Sequence, residues 1–199
     1  MVDEADKLQI LYDHYKETLT SIKETNKTRD RLLVFAVVLI GILFFQIISP
    51  EDSSDVFIKL LSQKAGFIIN IDLNVISGII WFFLFVIVLK YFQSVVFSER
   101  QYPYLKKVEE EINALCRDKN FISREGSSYL TKYPKFSDWI HCVYRIILPL
   151  ILIALILIKI IKEWQCVNVV SSSLLFDSII FIFITITTIL YLCYIHFGK

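Results

Sequence analysis

The chain has 199 residues, of which 55% are hydrophobic, and its mean hydropathy of +0.57 is too high for an ordinary soluble domain. Its formal net charge of +1 argues against a nucleic-acid-binding protein, which would carry a large basic excess. Only 5 glycines and 4 prolines are present, so we expect the apolar residues to form long helices in a membrane.

The N-terminal segment, residues 1–31, is predicted to be a charged amphipathic helix that leads into a membrane span. Its apolar residues recur at helical spacing, while acidic and basic residues occupy the other faces. The apolar positions are Leu8, Leu11, Tyr15, Leu19 and Ile22.

Four apolar runs predict four transmembrane helices, so the predicted fold class is an all-α polytopic membrane protein with additional amphipathic helices. A helix rises about 1.5 Å per residue, and about 20 apolar residues therefore cross a hydrocarbon core of about 30 Å. The predicted segments are the N-terminal helix (1–31), the first span (32–49), an outer loop (50–73), the second span (74–97), a cytoplasmic helical loop (98–143), the third span (144–161), a second outer loop (162–173), the fourth span (174–196) and a tail (197–199).

The distribution of lysine and arginine predicts the orientation of these spans, because cytoplasmic loops of membrane proteins carry the excess of positive charge. Residues 1–31 and 98–143 are rich in Lys and Arg, whereas the outer loops carry few. We therefore expect both termini and the central loop in the cytoplasm, with Asp52 and Gln165 outside.

The first outer loop is predicted to contain a short helix that lies in the outer membrane interface, because apolar residues alternate there with Lys59 and Lys64. The same residues would suit a contact surface for a receptor or a phage, and both interpretations stay open. The apolar positions are Val56, Phe57, Leu60, Leu61, Phe67 and Ile68.

The cytoplasmic loop is predicted to contain a second amphipathic helix that begins at Pro103, since proline is common at the first helical position. Its apolar residues have the spacing of a coiled-coil seam, namely Leu105, Val108, Ile112 and Leu115. The seam either packs against the N-terminal helix in a hairpin or docks a soluble partner. In the second case, the contact residues are Leu105, Lys106, Lys107 and Val108.

Residues 121–139 crowd aromatic and basic side chains together just before the third span. One interpretation is an aromatic belt at the lipid headgroups. The other is a binding loop, in which Arg124 holds a phosphate or carboxylate of a partner while Tyr129 and Phe136 stack on it.

The predicted spans contain few ionisable residues, which are costly in lipid and usually mark function there. Lys90 is expected to extend to the headgroups, and Asp177 to be an ordinary acidic residue near a helix N-terminus. The 3 histidines are too dispersed to form a metal site or a proton relay. We predict no enzyme activity, and no catalytic, cofactor or metal residues.

Small hydroxyl residues form a stripe on the fourth span, where they permit close helix packing in lipid. They either pack within one protomer or line an oligomer interface or pore. The residues are Ser171, Ser178, Thr185 and Thr188.

The layout resembles the four-span membrane subunits of bacterial anti-phage defence systems, in particular that of the Kiwa system. The local residues that carry the resemblance are Asn26-Lys27-Thr28-Arg29-Asp30-Arg31, which leads into the first span, and Arg124-Glu125-Gly126. The resemblance implies a multimeric sensor in the bacterial inner membrane that works with a cytoplasmic DNA-binding effector, and it implies no catalysis by this chain.

Three functions follow as hypotheses. The first is an oligomeric membrane sensor and scaffold, a tetramer by our expectation, that contacts lipid and recruits a soluble effector without binding nucleic acid itself. The second is a pore that depolarises the membrane through the hydroxyl stripe. The third is a small membrane enzyme that acts on lipid headgroups through Arg124.

Overall fold

The computed structural model of the chain describes residues 4–65, 73–116, 121–122, 139, 142–166 and 171–197. The regular elements within these residues are helical, as the predicted all-α fold class requires. They are α1 (Glu4–Ile48), α2 (Pro50–Ala65), α3 (Leu73–Leu115), a π-helical turn (Val143–Ile147) that runs into α4 (Leu148–Cys166), and α5 (Ser172–Phe197).

Four helical segments of the described chain are long and apolar enough to cross a membrane, which confirms the predicted polytopic architecture. Many of their large apolar side chains are exposed, and such surfaces need lipid rather than water as a solvent. Examples are Phe35, Phe82, Phe83, Phe183 and Leu190. The segments are Glu4–Ile48, Asn74–Leu115, Val143–Gln165 and Ser172–His196.

α1 and α3 are unusually long, at 45 and 43 residues. We predicted that a new helix begins at Pro103, but this residue lies inside α3. The prediction was wrong because an interior proline can bend a helix without ending it when packing stabilises the turns on both sides. Here the buried residues Val95 and Leu105 lie before and after the proline.

α2 covers most of the predicted outer-loop helix. It begins at Pro50, and the missing N–H of proline costs nothing there because the first N–H groups of a helix have no partner within it. Glu51 and Asp52 in the first turn interact favourably with the positive end of the helix dipole. Its position in the membrane interface stays a prediction. Phe67 and Ile68 lie outside the described residues.

The chain divides into two compact units, and α1 and α3 each contribute to both. Unit 1 comprises Met1–Arg31 and Tyr91–Arg145, and unit 2 comprises Leu32–Lys90 and Ile146–Lys199. The more charged portions of α1 and α3 belong to unit 1, and their most apolar portions belong to unit 2. The division therefore follows the change in polarity along both helices.

The core of unit 1 consists of two apolar stripes that face each other, one on α1 and one on α3. Tyr15 and Ile22 of α1 are buried against Leu105, Val108 and Ile112 of α3. Packing of the seam against the N-terminal helix, the first of its two interpretations, is therefore confirmed. Partly buried apolar residues around this core are Leu8, Leu11, Leu19, Tyr102, Cys116 and Ile122.

In unit 2, α4 and α5 pack against each other, and α3 contributes the fully buried Trp81. The rings of Phe85 on α3 and Phe183 on α5 have their centroids 6.0 Å apart. Gly78 permits a close approach of the same two helices, because an added Cβ would lie 3.3 Å from the Cδ1 atom of Phe176. The N-terminal part of α3 therefore packs closely on the N-terminal part of α5.

Candidate functional site

A cavity of about 220 Å³ lies within unit 2, among the C-terminal ends of α1 and α4 and the N-terminal ends of α2, α3 and α5. Polar groups are costly in segments that cross a membrane, so a cavity lined by many of them is a candidate for function. The polar lining residues are Gln46, Asn74, Ser77, Lys159, Lys162, Glu163, Ser171, Ser173 and Asp177, and the apolar ones are Ile47, Pro50 and Leu174.

Lys159 and Glu163 form an ion pair that lines this cavity. They lie four residues apart on α4, on the same face as the buried Ile156 and Ile160. The pair offsets two charges that would otherwise be costly to shield from water. The second carboxylate oxygen of Glu163, Oε2, accepts no hydrogen bond from any group that the structure describes.

Asp177 brings a second carboxylate to the cavity, from the second turn of α5. The residue is only 2% exposed, and its Oδ1 atom has no hydrogen-bond partner among the described residues. We expected an ordinary acidic residue near a helix N-terminus. The position is as expected, but the burial is not ordinary, because an acidic residue that interacts only with the helix dipole lies at the surface.

Helical spacing in the sequence indicates these polar residues, although apolar runs alone do not. Asp177 precedes the buried Ile184 and Tyr191 by one and two heptads, which places it on the same face of α5. Lys159 and Glu163 have the spacing of an ion pair on one helix face. Helical spacing predicts each face, but it does not predict that the two faces meet.

The predicted hydroxyl stripe begins at an exposed residue just before α5 and ends in a buried part of that helix. Ser171 is exposed, Ser178 and Thr185 are half-buried, and Thr188 is fully buried. The last three each donate a hydrogen bond to the backbone carbonyl four residues earlier. Ser178 also accepts one from Trp164 Nε1 on α4 at 3.1 Å, so part of the stripe joins two helices of one protomer. A role in an oligomer or pore stays a prediction.

A second polar cluster lies within unit 1, around a small cavity of about 50 Å³. Asn26 Oδ1 accepts hydrogen bonds from Ser98 Oγ at 3.1 Å and from Arg29 Nη1 at 3.3 Å. The guanidinium of Arg29 also lies 5.6 Å from the ring centroid of Tyr144, in cation–π geometry. Two residues of the segment that leads into the first span therefore connect α1 with α3 and the π-helical turn. The cavity is also lined by Val95, Glu99, Tyr102 and Arg145.

The predicted partner-contact residues are divided between the core and the surface of unit 1. Leu105 and Val108 are 0% and 4% exposed, so a soluble partner cannot reach them. Lys107 is exposed, and Lys106 is half-buried with its Nζ 3.8 Å from the Glu110 carboxylate. The accessible part of the predicted contact is therefore the lysine pair. Other predicted binding-loop residues lie outside the described part of the chain, namely Arg124, Tyr129 and Phe136.

No protein-family model, curated protein or solved structure matches this chain. Its function is therefore inferred from its own residues: the polar cavity of unit 2, the polar cluster of unit 1 and the exposed surface of α1 and α3.

Proposed function

We propose that the chain is an oligomeric inner-membrane sensor and scaffold of a bacterial anti-phage defence system, which recruits a cytoplasmic effector through unit 1. The observation that carries this proposal is the hydrophobic core of unit 1, which α1 and α3 form with their more charged portions. Two membrane spans need only a short connection, of about 2–8 residues. A simple connection between two spans does not need a hydrophobic core of its own. A unit that binds another protein does, because its binding surface has to keep a fixed shape.

The exposed side chains of unit 1 support protein binding. Ile10 on α1 and Tyr104 on α3 are 53% and 44% exposed, and each has charged residues near it in sequence, such as Lys7 and Lys107 respectively. Protein interfaces combine apolar or aromatic anchors with a polar rim. The excess of Lys and Arg in unit 1 supports a cytoplasmic location, where a soluble effector would meet this surface.

We propose in addition that the chain forms a homo-oligomer, which we expect to be a tetramer. Support comes from two small hydroxyl residues near the start of α5 that remain accessible, the exposed Ser171 just before the helix and the half-buried Ser178 within it. Small residues allow helices of neighbouring protomers to approach closely in lipid. Mass photometry in native nanodiscs measures the subunit number, and a clean monomer peak after mild extraction would contradict the scaffold.

Charge reversal at the accessible lysines tests recruitment. The double variant Lys106→Glu and Lys107→Glu should lose co-purification of the soluble protein encoded by the adjacent reading frame, because interface charges determine docking specificity. Membrane insertion and oligomer size should not change, since neither lysine is part of the core of unit 1.

Lys59→Glu is the matched control, because Lys59 is an exposed lysine on α2 in unit 2. It should leave co-purification at the level of the unmodified chain. Equal recovery of the soluble protein with the double variant and the control would contradict recruitment through this surface.

A further inference from the structure

We propose that the cavity of unit 2 binds a monovalent inorganic cation, with Asp177 as its charged ligand. This inference does not depend on the proposed recruitment of an effector, because all of the residues involved belong to unit 2. It rests on the charge balance of the cavity, on the oxygen atoms that line it and on its size.

Among the described residues that line the cavity, two acidic side chains, Glu163 and Asp177, accompany one basic side chain that is shielded from water, Lys159. Lys159 forms an ion pair with Glu163 and also attracts the buried carboxyl group of Asp177, so one ammonium group is shared by two acidic side chains. A buried charge is strongly unfavourable unless an opposite charge accompanies it. Lys162 also lines the cavity, but it is exposed, so its ammonium group can stay in water. A bound cation would supply the positive charge.

Among the described residues, the free polar atoms of the cavity are four oxygens, which a hard cation prefers, and the amide nitrogen of Gln46, which is a donor. Asp177 Oδ1, Glu163 Oε2 and Gln46 Oε1 accept no hydrogen bond from the described part of the chain, and all three residues line the cavity. The hydroxyl group of Ser77 lines it as well. Carboxylate, amide and hydroxyl oxygens are typical ligands of hard cations, which bind nitrogen and sulfur less well.

Charge and size favour a monovalent ion. Divalent ions such as Ca²⁺ are usually held by several carboxylates. Within the described residues, no three or more His, Cys, Asp or Glu side chains form a cluster of the kind that holds a metal ion by itself. The cavity of about 220 Å³ exceeds the volume of about 30 Å³ that one water molecule occupies in the liquid. An ion that keeps part of its hydration shell therefore fits.

Tryptophan fluorescence provides a direct test, because two tryptophans lie beside the cavity residues. Trp81 is buried one helical turn after Ser77, and Trp164 follows Glu163 in sequence. The full chain in nanodiscs is titrated with NaCl or KCl, with choline chloride holding the ionic strength constant. We expect a saturable fluorescence change with Na⁺ or K⁺ that choline does not produce.

Asp177→Asn should weaken the apparent affinity for the cation at least about tenfold, because it removes the charged ligand while keeping the shape of the side chain. Asp52→Asn is the control, since Asp52 is exposed on α2 and does not line the cavity. It should leave the titration unchanged. A full response in the Asp177 variant would overturn the proposal.

Ser77→Ala provides a second variant in case Asp177→Asn does not insert or fold. Loss of one hydroxyl ligand should weaken the apparent affinity by about threefold to tenfold. The thermal unfolding midpoint of the unmodified chain should also rise with cation concentration, because a ligand that binds only the folded state stabilises it. Absence of any saturable cation response in the folded protein would overturn the proposal. A response to pH alone would overturn it too, since a proton would then neutralise Asp177.

Discussion

Ile112 is fully buried between α1 and α3, and its truncation tests whether the two apolar stripes stabilise unit 1. Ile112→Ala removes buried methyl and methylene groups and leaves a cavity, so we expect a loss of about 2–5 kcal/mol of stability. Glu111→Ala changes an exposed neighbour on the same helix and should cost less than about 0.5 kcal/mol. Hydrogen exchange of the full chain in nanodiscs measures the opening of unit 1. Equal protection of both variants would contradict the proposed core.

Tyr15 and Glu109 form a buried polar contact beside this core, with the phenol hydroxyl donating to Glu109 Oε1 at 3.3 Å. Tyr15→Phe removes that donor from a carboxylate shielded from water, and we expect a loss of about 1–3 kcal/mol. Tyr12→Phe is a matched control, because Tyr12 is exposed on the same helix. The same hydrogen-exchange measurement compares them. Identical exchange in the two variants would show that the contact does not stabilise unit 1.

At the residue scale, the sequence predicted which side chains are apolar and helical, but it predicted the polar site poorly. Asp177 was predicted to be an ordinary acidic residue because it lies near a helix N-terminus. That prediction used local position alone. The burial of Asp177 depends on α3 and α4, which are distant in sequence, and one sequence without tertiary contacts does not indicate which helices surround it.

Two glycines in unit 2 allow a matched test of the helix contact between α3 and α5. At Gly78, an added Cβ would lie 3.3 Å from the Phe176 ring and 3.4 Å from Asp177 Oδ1, whereas at Gly41 it would meet no atom within 4 Å. Gly41→Ala should therefore stabilise its helix by about 0.5–1 kcal/mol. Gly78→Ala should lose that gain, because the Phe176 ring has to shift by a few tenths of an ångström.

The thermal unfolding midpoint of each glycine variant in nanodiscs measures this difference. We expect Gly41→Ala to unfold at a higher temperature than Gly78→Ala, with the unmodified chain as the reference. Identical stabilisation by both substitutions would show that α3 and α5 are not in close contact at Gly78.

At the element scale, the apolar runs predicted the spans because hydrophobic length is a local property that lipid selects directly. The packing of the N-terminal stripe on the Leu105 seam was one of two predicted outcomes, since two apolar stripes in one chain can bury each other. The helix boundary at Pro103 was predicted incorrectly. A proline signal is also local, and the packing of Val95 and Leu105 on either side outweighs it.

At the scale of the whole molecule, the lengths of α1 and α3 matter most. Helices of 45 and 43 residues would be about 67 and 64 Å long at about 1.5 Å per residue, more than twice a hydrocarbon core of about 30 Å. Neither helix fits inside the hydrocarbon core. Each helix contributes to both units, its more charged portion to unit 1 and its most apolar portion to unit 2.

Two exposed residues, one in each unit, are predicted to lie on opposite sides of the membrane. Asp52 on α2 and Lys107 on α3 are both exposed, and each can be replaced by cysteine in a variant whose 4 native cysteines are changed to serine. The excess of Lys and Arg in unit 1 predicts that Lys107→Cys faces the cytoplasm and Asp52→Cys faces outward. In intact cells, a membrane-impermeant maleimide should therefore label only Asp52→Cys, and lysis should expose Lys107→Cys. Labelling of Lys107→Cys before lysis would place unit 1 outside, where no cytoplasmic effector could reach it, and the proposed recruitment would have to be abandoned.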